Sequence, residues 1–165
     1  MQIVDNFLSE SQLHYVQQTI MNVYNKDFPF YIQKSVANFT EDTPNWSWMG
    51  THLLYHQHEP KSPFYDIINN AFLDKMDINA LIRVKVNFYP WTETVRTHPF
   101  HVDCEFPNKA ALFSINTCDG YTLFEDGTKI DSVANRMLYF DPQVRHCSST
   151  TTNSHGRFNI NFNFL

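Results

Sequence analysis

The chain has 165 residues and a formal net charge of -5, enough for one compact domain that buries about 70% of its unfolded surface without disulfide staples. An apolar fraction of 42% and an aromatic fraction of 16% exclude disorder, and four glycines leave no material for a phosphate-binding or dinucleotide-binding loop. The acidic balance, without any run of Lys or Arg, argues against a nucleic-acid partner.

The opening Met1-Gln2-Ile3-Val4-Asp5 has neither the basic nor the apolar region of a secretory leader. With an odd cysteine count, three, it predicts reduced thiols and a cytoplasmic protein. No stretch approaches the ~20 apolar residues that span a bilayer, so no membrane partner is expected. Ser9 and Gln12 have the spacing of a capping box, and Leu13, Val16, Ile20 and Val23 recur at helical period, predicting a helix over 9–25. Residues 29–34 and 47–57 read as extended, with a polar loop over 37–44 between them. Ser62-Pro63 starts a second predicted helix over 62–74, with Phe64, Ile67, Ile68 and Phe72 on its apolar side.

From residue 81 the period becomes two. Ile82, Val84, Val86 and Phe88 alternate with Arg83, Lys85, Asn87 and Tyr89. Short strands are predicted over 98–103, 109–116, 121–124, 128–133, 136–140 and 144–148, punctuated by Asp119-Gly120, Asp126-Gly127 and Asp141-Pro142. The last strand is the clearest: Phe158, Ile160, Phe162 and Phe164 against Arg157, Asn159, Asn161 and Asn163. Its polar face lacks the Lys, Glu and Thr of a solvated surface, and would suit the lining of a barrel that holds a charged ligand. Two helices followed by many short strands suggest a jelly roll with helical buttresses.

The chemistry concentrates in His101-Val102-Asp103, His146 and Arg157. Residues i and i+2 of a strand share a face, so His101 and Asp103 can lean onto one ion, with His146 arriving from a strand distant in sequence. Two imidazoles and one carboxylate suit Fe(II) and leave part of its coordination sphere open. An arginine nearby suits a dicarboxylate.

These residues carry a resemblance to the Fe(II)- and 2-oxoglutarate-dependent dioxygenases, most of all to the prolyl-4-hydroxylase-like branch with its small phage and bacterial members. It covers residues 81–165, through Asn87-Phe88-Tyr89-Pro90, His101-Val102-Asp103, Asp119-Gly120-Tyr121-Thr122, Asn135-Arg136-Met137-Leu138-Tyr139-Phe140, His146 and Arg157-Phe158-Asn159-Ile160-Asn161. The resemblance implies a mainly β protein with flanking helices, a double-stranded β-helix (a cupin-like jelly roll), as one domain over 1–165. In it 1–80 form a buttress and 81–165 the core β-helix. It implies Fe(II) held by His101, Asp103 and His146, and 2-oxoglutarate bound by Arg157 with Tyr89 close by. It also implies dioxygen consumption, release of succinate and CO2, and hydroxylation of a C–H bond in an unidentified substrate. Peptidyl proline or another peptide residue is favoured over a small molecule. The chain departs from the family near Ser114, where a tyrosine is common, and at Asp119-Gly120, where two glycines are usual.

Competing readings attach to other residues. His56 and His58 match the H-x-H opening of cupin metal sites, without the glutamate and glycine spacing that follows there, so a cupin-like or catalytically inactive jelly-roll binding module is the alternative. Cys104 and Cys147 adjoin proposed ligands and, on strands, would point to the opposite face and be buried. Trp46, Trp48, Trp91 and the 35–45 loop are candidates for a substrate rim. Phe88, Phe113, Phe124, Tyr139 and Phe158 are candidates for dry walls, and His98 and His155 flank the site in sequence.

Overall fold

The computed structural model describes residues 1–21, 28–37, 40–103 and 106–165. Strand β1 (Gln2–Val4) precedes helix α1 (Glu10–Met21). The capping box forms as expected: Gln12 N–H donates to Ser9 Oγ at 3.3 Å, and Ser9 N–H donates to Gln12 Oε1 at 3.2 Å. The predicted end of this helix, with Val23, lies outside the described residues. Strands β2 (Tyr31–Gln33), β3 (Met49–His56) and β4 (Glu59–Pro60) follow. Ser62 accepts from Phe64 N–H at 3.1 Å and Pro63 opens a 3-10 turn, so the second predicted helix starts where expected. It is broken into Pro63–Tyr65, α2 (Asp66–Ala71) and a further 3-10 turn at Leu73–Lys75.

The remaining strands are β5 (Leu81–Pro90), β6 (Lys109–Ser114), β7 (Tyr121–Phe124), β8 (Lys129–Asp131), β9 (Arg136–Phe140), β10 (His146–Ser148) and β11 (Gly156–Phe164). They form two antiparallel sheets. The large one runs β1-β9-β6-β11-β5-β3-β2, with β4 on β3; the small one runs β10-β7-β8. This is a jelly roll. The first eighty residues supply β1 to β4 as well as the helices, and β3 lies inside the large sheet rather than beside it.

The period-two pattern decides what each face of the large sheet meets. Val84 and Val86 of β5, Phe113 of β6, Met137 of β9 and Ile160 and Phe162 of β11 pack with Val16 and Ile20 of α1 and Ile67, Ile68 and Phe72 around α2. Phe72 is fully buried, with its ring 5.0 Å from Phe113 and 5.2 Å from Phe162. Burying each such side chain stabilises the fold by about 1.5–3 kcal/mol. On the other face, Ala110, Leu112, Leu138 and Phe140 meet Phe124 of the small sheet in a second, smaller core. Beside it the same face carries the polar row of β5 and β11. No helix among the described residues is long and apolar enough to cross a membrane.

Three expectations are corrected. Residues 98–103 do not form a strand: only isolated bridges, Thr97 to Ser149 and His101 to His146, tie them to β10 and its continuation. Of the proposed dry walls, Phe113, Tyr139 and Phe158 belong to the helix-packed core, and Phe88 stacks with Phe30 and Phe158 instead of lining the site. His56 and His58 do not share a strand face. Gln57 and His58 form a two-residue hairpin turn with φ of 53 and 65, in which His58 is carried out of the strand.

Candidate metal centre

His101, Asp103 and His146 are brought together at the mouth between the sheets. His146 opens β10. His101 faces it across an exchanged pair of backbone bonds: His101 N–H donates to His146 C=O at 2.9 Å, and His146 N–H donates to His101 C=O at 3.0 Å. Asp103 follows in a bend, where its N–H donates to Pro142 C=O at 3.1 Å. Asp103 Oδ1 stands 4.0 Å from His101 Nε2 and 3.9 Å from His146 Nε2, and the three donor atoms all lie within 4.8 Å of one another. The trio could hold a divalent metal ion if these side chains drew inward by a small amount.

Each ligand's other heteroatom is tied back to the protein. His146 Nδ1 pairs with Val144 C=O at 2.9 Å and His101 Nδ1 with Pro99 C=O at 3.3 Å. A carbonyl only accepts, so both rings carry their proton on Nδ1 and present the Nε2 lone pair. Asn161 Nδ2 donates to Asp103 Oδ2 at 2.9 Å, leaving Oδ1 to face the two imidazoles, with Arg83 Nη2 3.7 Å away. Burial, and then the neighbouring His146, push the His101 imidazole down, which favours the neutral form that binds a cation. Burial alone would raise the Asp103 carboxyl; His146, the Asn161 hydrogen bond, Arg83 and Lys85 outweigh it and hold the group below its ordinary value.

Arg157 enters the same pocket from β11 and is 1% exposed. Its Nη1 donates to Tyr121 C=O and its Nη2 to Thr122 Oγ1, each at 2.8 Å. The guanidinium lies over the Tyr89 ring, 5.4 Å from its centre, and Tyr89 stacks in turn on His98 at 5.5 Å. Among the described residues no carboxylate pairs with Arg157, and its Nε has no acceptor. A fully buried cation without a counter-ion is costly, and a bound anion would relieve that cost. Asn87 Oδ1, Asn159 Nδ2 and Asn161 Oδ1 are likewise buried without partners around this pocket. Gly120 makes the arrangement possible: a Cβ there would stand 2.8 Å from Arg157 Cδ and 2.9 Å from Thr150 C=O. The single glycine in Asp119-Gly120 is thus the one the site requires.

No protein-family model and no curated protein matches this sequence. Solved structures do match. A prolyl hydroxylase from Trichoplax adhaerens, in complex with a hypoxia inducible factor oxygen degradation domain peptide fragment, is 18% identical with a TM-score of 0.60, covering 99% of this chain and 82% of that one. A prolyl-4-hydroxylase from Pseudomonas putida is 11% identical with a TM-score of 0.62, over 99% and 91% of the two chains. The viral collagen prolyl hydroxylase of Paramecium Bursaria Chlorella virus-1, as its 2OG complex, is 13% identical with a TM-score of 0.58, over 98% and 93%.

The fold is that of the prolyl hydroxylases.

Within that fold all five residues singled out from the sequence, His101, Asp103, His146, Arg157 and Tyr89, border one pocket. Others do not reach it. His155 is exposed on a loop beside Trp91, and Trp46 packs on His98 and Arg96. Trp48 packs on Phe88, so none of the three tryptophans forms the rim; Val36 does. His52 is occupied structurally, between Pro29 C=O at 2.6 Å and Ser62 Oγ at 2.7 Å. Cys147 is buried but borders the pocket instead of facing away from it, and Cys104 lies outside the described residues. The sequence placed Asn161 on a lining face without giving it a role at Asp103, and gave Thr122 and Lys85 no role at the site. Asn161 and Lys85 were visible as members of polar strand faces, but nothing in the sequence marked Thr122 as a partner of Arg157.

Proposed function

We propose that this protein is an Fe(II)- and 2-oxoglutarate-dependent dioxygenase that hydroxylates a C–H bond of a peptide residue, proline being the first candidate. The observation that carries the reading is the meeting of two Nε2 atoms and one carboxylate oxygen with a buried guanidinium that has no carboxylate partner among the described residues, in a single pocket. The donor set suits ferrous iron, which closed zinc sites built on thiolates do not resemble. When bound, iron together with 2-oxoglutarate and dioxygen supplies the oxidation, which places one oxygen atom on the substrate and releases succinate and CO2.

The chain's own residues set the stage for that chemistry. His101, Asp103 and His146 would hold the metal, with Asn161 fixing the Asp103 carboxylate and the Pro99 and Val144 carbonyls fixing the imidazole rings. Arg157, oriented by Tyr121 C=O and Thr122 Oγ1 and covered by Tyr89, would take the distal carboxylate of 2-oxoglutarate through N–H groups still free. About 30 Å³ of space remains among these groups, so a dicarboxylate would need neighbouring side chains to move back. Phe124 and Phe140, whose rings lie 5.8 and 5.0 Å from that of His146, keep one wall dry. Residues 1–165 would act as one catalytic domain in a cytoplasmic setting.

Anaerobic addition of Fe(II) and then 2-oxoglutarate should produce a visible metal-to-ligand charge-transfer band. Its survival at full strength in His101→Ala or Asp103→Ala would reject the ligand assignment. A succinate-release screen over peptides, amino acids and nucleotides then identifies the substrate class.

A further inference from the structure

Two troughs open beside the metal pocket and share Val36, Arg83 and Lys85. One, of about 890 Å³, is bordered by Tyr31 and Gln33 of β2, by His56 and Lys61, and by Arg83 and Lys85 of β5. The other, of about 690 Å³, is bordered by Arg83, Lys85, His101, Asp103 and Arg145. The chain carries 17 acidic residues against 12 basic ones. Yet the linings of both troughs hold four Lys and Arg side chains, and Asp103 is their only carboxylate among the described residues.

Three of the four cations are already engaged. Lys61 pairs with Glu59, Arg145 with Glu125 at 3.1 Å, and Arg83 with Asp103 at 3.7 Å and with Asn163 Oδ1 at 2.9 Å. Lys85 has no ion pair among the described residues, and it alone with Val36 borders both troughs and the metal pocket. The nearest carboxylate to act on it, that of Asp103, is not within ion-pair distance and is turned to the two imidazoles, so the amine has room for a second anion supplied from outside.

We infer that Lys85 reads a carboxylate of the substrate: the peptide to be hydroxylated carries an aspartate or glutamate close to its target residue. This rests on the oxygenase reading above. A peptide fits better than a polynucleotide, because neutralising a phosphate backbone takes a row of free cations, and among the described lining residues only Lys85 lacks an ion pair. It fits better than a small acid because the larger trough runs along β2, the edge strand of the large sheet, where an extended chain finds backbone groups to pair with. An exposed lysine would add little, whereas one at a half-buried crossing of two grooves discriminates by charge at short range.

The test uses a fluorescein-labelled decapeptide of alternating glutamate and alanine, its glutamine counterpart, and an oligonucleotide of ten thymidines. Binding is followed by anisotropy, and the charge-transfer band is recorded in parallel. The acidic peptide should bind at least tenfold tighter than the glutamine peptide. Lys85→Gln should erase that preference, Lys85→Arg should keep most of it, and Lys129→Gln on the small sheet should leave it unchanged. The band should persist in Lys85→Gln. Equal binding of the two peptides, a preference that survives Lys85→Gln, or tighter binding of the oligonucleotide would each overturn the inference, as would loss of the band in Lys85→Gln, which would assign Lys85 to the co-substrate. A wild-type protein without the band but with a Lys85-dependent acidic preference would sink the oxygenase reading, and with it hydroxylation of the peptide, while keeping Lys85 as the residue that reads its carboxylate.

Discussion

Replacing Arg157 by methionine separates what the guanidinium does for stability from what it does for ligand binding. Arg157 is 1% exposed and has two hydrogen bonds of 2.8 Å and the Tyr89 ring to offset its desolvation, with no carboxylate partner among the described residues. Burying the cation costs several kcal/mol. Two hydrogen bonds from a charged donor return about 1.5–3 kcal/mol each, and a desolvated cation–π contact about 2. The sum is close to zero, so Arg157→Met should leave the ligand-free protein as stable as the wild type to within about 2 kcal/mol. The effect on 2-oxoglutarate should be large: losing a two-pronged, charge-assisted contact costs about 3 kcal/mol or more, over a hundredfold in affinity. Urea unfolding of the ligand-free proteins and titration of the charge-transfer band with 2-oxoglutarate give the two numbers. A variant destabilised by more than 4 kcal/mol whose 2-oxoglutarate affinity is unchanged would refute the reasoning, because Arg157 would then be a structural residue satisfied within the protein.

Gly120→Ala places a methyl group against Thr150 C=O, which cannot yield, and against Arg157 Cδ, which can; the strain should cost about 1–3 kcal/mol and weaken 2-oxoglutarate binding while Fe(II) affinity, measured by titration, stays unchanged. Asn161→Leu removes the donor that holds Asp103 Oδ2 and should lower metal affinity by roughly 10–100-fold, as outer partners of metal ligands generally do; an unaltered Fe(II) titration would deny Asn161 that role. Burial pushes the His98 imidazole down to about 4 from an ordinary 6.5. The unfolded chain therefore binds a proton between those values that the folded one refuses. Stability should be complete above pH 6.5 and fall as the pH drops toward 4, by about 3 kcal/mol at most. His98→Phe should flatten that part of the pH profile, and an identical slope in the two proteins would contradict it.

The strands that carry the site were legible because a buried strand with one polar face imposes a period of two on its residues. β5 and β11 announce themselves in this way, and the face holding Arg157 and three asparagines does line an interior. His101 and Asp103 were legible as a pair for a reason that proved different in detail. They converge across a bridge and a bend, held by His146 C=O and Pro142 C=O, and not along one strand. The aromatic residues misled, since a phenylalanine on a strand carries no mark of which side faces the helices. Pairings such as β1 with β9, or β3 inside the large sheet, join segments with nothing local in common. Lys85 carried no mark beyond its place on the polar side of β5; that it borders a trough lined by β2 and β3 is set by pairings remote in sequence.

Strand β11 lies between β5 and β6, yet a ribosome delivers it after both of its neighbours. Until residue 156 emerges, a nascent chain already carries His101, Asp103 and His146 but presents two unzipped edges where the sheet will later close. Such an intermediate lacks Arg157, and it is at its most adhesive just before β11 is made. Synthesis that stalls in this interval should therefore yield aggregates, not a partly folded domain.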